Sequence, residues 1–104
     1  MMPTLDDFLA YLGQDFADDD MVNINATRSL HTAIEIVHGS VGPDVEVYLP
    51  GDPRVRELVL IYAEDLFNQR GLAAKVSNAT RRLVSAMENQ LVLELRRKKR
   101  EAQA

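Results

Sequence analysis

The chain has 104 residues, a net charge of -4, 46% hydrophobic and 27% charged residues, which is the balance of one globular domain with a modest core. With no cysteine it can form no disulfide, no thiolate nucleophile and no Cys-containing zinc site. Its longest apolar run, residues 58–63, falls far short of the roughly 20 residues of a membrane span, and Asp6, Asp7 and Asp15 stand where a secretory leader would be basic and then apolar, so a protein folded inside the cell is expected.

Four helices are predicted in chain order. The first opens at Thr4, with Asp7 completing a T-x-x-D capping box, carries Leu5, Phe8, Leu9 and Leu12 on one stripe and stops at Gly13. Asp18, Asp19 and Asp20 then place negative charge at the positive pole of a second helix. Its face is Ala26, Leu30, Ala33, Ile34 and Val37, and it closes near His38 and Gly39. Residues 39–52 hold Gly39, Gly42, Pro43, Pro50 and Gly51, enough turn-formers for an irregular connection with a locally extended piece at 45–49. Asp52 before Pro53 starts the third helix, which runs to Arg70 and stops at Gly71. Its centre, 58–63, is apolar all round, so it is expected to be the hub of the core with Leu60 and Ile61 both buried. After a loop over 71–78, Leu83, Val84, Met87, Leu91 and Leu95 mark a long last helix from about Ala79 to Arg100. The fold class expected is all-α: a small four-helix domain over 1–95, followed by a basic, flexible tail over 96–104.

The charge is distributed unevenly. Residues 1–52 hold ten acidic side chains against Arg28 alone, a net of -9, whereas residues 53–104 hold eleven basic against six acidic, a net of +5. Either the two signs meet within one folded unit, or the polarity draws together copies of the chain or a charged partner.

The residues that carry chemistry elsewhere lack the required spacing here. His31 and His38, with Glu35 between them, are seven residues apart, or about 10.5 Å along a helix, and cannot converge on one zinc. The cluster Asp15, Asp18, Asp19 and Asp20 lacks the EF-hand order and reads as dipole and cap chemistry. The adjacent pairs Glu64–Asp65 and Asp6–Asp7 point in different directions on their helices, and no nucleophile elbow or phosphate-cradling loop is present. No enzyme activity, metal or cofactor is therefore expected.

The sharpest chemical feature is Arg96-Arg97-Lys98-Lys99-Arg100, preceded by the consecutive apolar residues Leu91, Val92 and Leu93. These eight residues are the candidate partner-binding set. The apolar arc spreads over roughly 200°, wider than a single-chain core covers, and five cations exceed what a helix C-terminus needs. An acidic protein surface, phosphates and plain solvation remain as their counterparts, the first favoured, and without interleaved aromatics base stacking is not expected.

The order of features resembles the head-tail connector (adaptor) proteins of long-tailed bacteriophages. The resemblance covers about residues 4–70. It rests on a first helix ending in Tyr11-Leu12, then Asp15 and Asp18-Asp19-Asp20-Met21 opening a second helix that closes at Gly39. A helix with the apolar run 58–63 follows, ending in Leu66-Phe67-Asn68-Gln69-Arg70. The long last helix and its RRKKR ending depart from the family's short leucine-rich closing helix. The resemblance implies a structural virion protein made in the bacterial cytoplasm and located at the head-tail junction. It implies a ring of about a dozen copies between the portal protein and a tail-completion protein, with DNA passing through the channel without sequence-specific binding and no membrane involved. The residues alone leave an alternative: a small helical regulatory protein that binds nucleic acid through its basic last helix.

Overall fold

The computed structural model describes residues 2–13, 20–69 and 78–103. Among them every regular element is a helix: α1 (Leu5–Leu12), α2 (Asp20–Ser40), α3 (Val45–Tyr48), α4 (Pro53–Gln69) and α5 (Asn78–Gln103). Asp15, Asp18 and Asp19, the expected stop at Arg70 and Gly71, and positions 71–77 of the loop expected over 71–78 lie outside the described residues, as does the side chain of Leu83.

The local end signals act as the residue types dictate. Asp7 N–H donates to Thr4 Oγ1 at 3.2 Å and Thr4 N–H donates to Asp7 Oδ2 at 2.9 Å, closing the capping box of α1. Gly13 ends that helix in the left-handed conformation at φ 71°. Asp52 accepts from the Arg54 N–H at 2.9 Å and so satisfies a free donor of the first turn of α4. Three elements differ from expectation, α5 by running past Arg100 to Gln103. Gly39 lies inside α2, which continues to Ser40, because a glycine terminates a helix only where the chain turns left-handed and here it does not. Residues 45–48 are a helical turn rather than an extended piece: among the described residues no strand stands ready to pair with them, and the turn folds Val45 completely into the core.

The core forms where α4 meets α1, α2 and α5. On α2 the inward positions Ala26, Ser29, Leu30, Ala33 and Val37 are mostly small, which lets its backbone approach α4 closely. On α4 the buried residues are Val55, Leu58, Val59, Tyr62, Ala63, Leu66 and Phe67, one broad face. α1 closes the side of the bundle through Phe8, whose ring meets Phe67 edge-on at a centroid distance of 5.9 Å. Leu60 and Ile61 correct the expectation of full burial. They are only partly buried, because three neighbouring helices cover the circumference of α4 incompletely and leave the stripe opposite α2 facing outward.

Urea unfolding should separate the two sides of α4. Leu58→Ala, at a fully buried site, is expected to cost about 2–5 kcal/mol. Leu60→Ala should cost less than Leu58→Ala, since its side chain is only partly buried at the edge of the core.

Candidate functional site: the basic end of the last helix

α4 and α5 run antiparallel with a fixed register. Arg54, in the first turn of α4, donates to Asp52 Oδ2 at 2.7 Å and to Glu94 Oε2 at 2.6 Å, while the hydroxyl of buried Tyr62, two turns along α4, is hydrogen-bonded to Glu88. One carboxylate from the loop and one from α5 hold the same guanidinium, so its proton is bound more tightly than usual. Burial, first, and the Glu88 contact push the Tyr62 phenol well above its ordinary range. Because Glu94 sits level with the start of α4, the rest of α5 extends beyond the α4 helix end. From Leu95 to Gln103 that is about 13 Å at 1.5 Å per residue.

The connection between α2 and α4 supports this extension. Leu95, buried, lies directly over Gly42, where an added Cβ would come within 2.5 Å of its Cδ2 and where φ is 157°. One turn further, Lys99 Nζ is 2.7 Å from Asp44 Oδ2 and stands over the Tyr48 ring at 5.9 Å from its centroid. α3 is tied to α2 in turn by His38 Nε2, 3.3 Å from Glu46 Oε1. The helix continues unbroken through Arg96 to Gln103, so the boundary drawn at residue 95 coincides with no break in secondary structure.

The structure divides the candidate partner-binding residues. Leu91 is completely buried in this chain's core and therefore cannot meet a partner; Val92 is half-buried. The apolar arc is narrower on the surface than the run of three suggests, because successive helix residues point about 100° apart. Leu93 alone is strongly exposed, at 64%. Of the cations, Lys99 is taken by Asp44, and Arg97 pairs with Glu101 at 2.9 Å. Arg96, Lys98 and Arg100 meet no carboxylate among the described residues. By the helical period Leu93, Arg96, Arg97 and Arg100 share one outward stripe, a leucine standing beside three arginines.

His31 is exposed and His38 half-buried, and among the described residues no three histidine or acidic side chains gather where a metal could sit. No described helix is long and apolar enough to cross a membrane. Sequence reasoning missed the Arg54–Glu94 pair, forty positions apart, and the Asp44–Tyr48 seat for Lys99. Neither has a local signal; only the closeness of Glu94 to Leu91 and Leu95 on one helical face hinted at the first. Comparison of the chain with protein-family models, curated proteins and solved structures finds no match.

Three carboxylates are held below their ordinary pKa. Lys99 does so for Asp44, Arg54 for Asp52, and for Asp7 the Thr4 backbone and hydroxyl, then Arg56 at 3.2 Å. Each binds a proton less readily in the folded chain than in the unfolded one. Their contribution is thus fully present above the ordinary carboxylate pKa of about 4 and is lost as the pH falls through the lowered values. Urea midpoints measured at about pH 7, 5 and 3 should hold between the first two and drop at the third. Asp52→Asn together with Arg54→Met should reduce that drop. A further variant, Gly42→Ala, should destabilise at every pH, because its methyl must displace Leu95.

Proposed function

We propose that the protein is a structural assembly subunit, a head-tail connector of a long-tailed bacteriophage whose mechanism is binding rather than catalysis. In this reading the four longer helices form the connector domain over 1–95, with α3 as a turn in its long connection. The basic segment 96–104 engages a neighbour, and a ring of copies sits beneath the portal protein, extends the DNA channel and receives a tail-completion protein.

The observation that carries the reading is the exterior of α5 from Leu93 onward: an exposed leucine and arginines on a helix that Leu95 and Lys99 hold against the domain. A projecting helical stripe of charge with one apolar residue suits docking to a protein surface, since the direction of charge fixes orientation and the leucine adds desolvated contact. The opposite charges of the two halves meet in part within the chain, in Asp7–Arg56, Asp44–Lys99 and Asp52–Arg54; the arginines beside Leu93 that have no such partner among the described residues suit a heterologous interface, in which one part of a subunit meets a different part of the next and the series closes into a ring. The resemblance of residues 4–70 to connector proteins supplies the biological setting.

Electron microscopy of the purified protein over a range of concentrations tests the assembly, and addition of the protein to tail-less, portal-bearing heads tests the setting. Closed rings with an open centre, and heads that then accept tails, are the expected results. The rival is read by duplex DNA titration at about 50 and about 200 mM salt. A chain that stays monomeric and binds duplex with an affinity that collapses by about 10³-fold between those salts would be a nucleic-acid-binding protein instead.

A further inference from the structure

The outward stripe of α4 is made of Glu57, Leu60, Ile61 and Glu64, spaced i, i+3, i+4 and i+7 and directly opposite the face that α4 buries. Two partly buried aliphatic side chains thus lie between two carboxylates. Neither Glu57 nor Glu64 meets a cation among the described residues. Tyr11 of α1, 36% exposed, borders the stripe close enough to both carboxylates that their charges add to burial in raising its phenol pKa. The surface is apolar at its centre and negative at both ends.

The stripe on α5 is its counterpart. Leu93, Arg96, Arg97 and Arg100 have the same i, i+3, i+4, i+7 spacing, so each stripe spans about 10.5 Å. With Leu93 seated on Leu60 and Ile61, Arg96, one turn on, reaches the level of one glutamate, with Arg97 beside it held by Glu101. Asn89 and Gln90, one turn back, bring amide donors to the level of the other. No acidic residue of α5 falls on this stripe between 89 and 100, so the docked helix sets no like charge against Glu57 or Glu64.

The two stripes cannot meet within one chain. α5 packs against α4 through its opposite side, with Val84, Leu91 and Leu95 buried, whereas the α4 stripe lies opposite that helix's buried face, its two aliphatic side chains touching the edge of the core and only partly covered by it. We infer that the outer stripe of α5 in one copy docks on the outer stripe of α4, bordered by Tyr11, in the next copy, a head-to-tail contact between two different surfaces of the same chain. This rests on the self-assembly half of the function proposed above and is independent of its virion setting. It also gives the incomplete cover of Leu60 and Ile61 a purpose: the all-round apolar character of α4 is completed by a second molecule.

Charge reversal on each surface, followed by mixing, tests the contact, read by sedimentation velocity of the full chain from micromolar to millimolar concentration. Glu57→Arg with Glu64→Arg, and separately Arg96→Glu with Arg100→Glu, alter solvent-facing side chains and should leave the circular dichroism spectrum unchanged. Each double variant alone should associate at least about tenfold more weakly than the natural chain. An equimolar mixture of the two should regain association, because each then presents a matching surface to the other. Leu93→Ser should weaken association without altering its salt dependence, whereas the natural contact should loosen as salt rises. If the natural chain assembles but both reversals assemble equally well alone, this pairing of surfaces is wrong while self-assembly stands. If the natural chain is monomeric at every concentration, the self-assembly half of the function falls with it.

Discussion

The placement of the basic helix end depends on one shared cation. Arg54 is held by Asp52, which also caps the helix that Arg54 belongs to, and by Glu94 on the antiparallel neighbour. A guanidinium with two carboxylates in a partly buried site has a narrow choice of geometry, because its donors form a rigid fork. The start of α4 and the level of Glu94 are thereby tied together, and the register of the two helices follows. A slip of one turn would move Leu95 off Gly42 and carry Lys99 away from Asp44. Ion pairs at this degree of exposure contribute modestly to stability; here the consequence is positional, since everything after residue 94 is aimed by this contact.

Aiming is what turns an ordinary basic helix end into a surface. Five successive cations on a free helix would repel one another and fray its last turns. In this chain Leu95 over Gly42 and Lys99 between Asp44 and Tyr48 anchor one side of that end, and the Arg97–Glu101 pair bridges the following turn. The connection between α2 and α4, rich in glycine and proline, is therefore a support whose turns bring a carboxylate and an aromatic ring to the same lysine. The cost of ordering long arginine side chains for binding is reduced when the backbone that carries them is already fixed.

The elements that were legible in the sequence are those whose cause is local. Thr4 with Asp7, Gly13, and Asp52 with Pro53 act on neighbours within four residues, so their effects could be read directly. The all-helical class followed from the spacing of Phe8, Leu30, Leu58 and Leu91 and their neighbours. What was not legible depends on how helices are arranged in space. The run 58–63 looks enclosed when it is read along the chain, but whether Leu60 and Ile61 are covered is decided by how many helices fit around α4. Similarly, Leu91, Val92 and Leu93 are consecutive in sequence yet belong to core, margin and exterior, according to the face that Val84, Leu91 and Leu95 turn toward the core.

That distribution has a consequence for any assembly the chain forms. One exposed leucine against two half-covered aliphatic residues removes little apolar surface from water, so a single contact of this kind is weak. Charge contributes orientation and encounter rate more than affinity. A heterologous contact of low strength is nevertheless well suited to a closed ring, because the final subunit makes two contacts at once and the closing contact forms at high effective concentration. Pairs of copies would dissociate readily and wrong registers would be released, whereas the closed ring would persist. Strength would then reside in closure, and the modest surface of α5 would be sufficient for it.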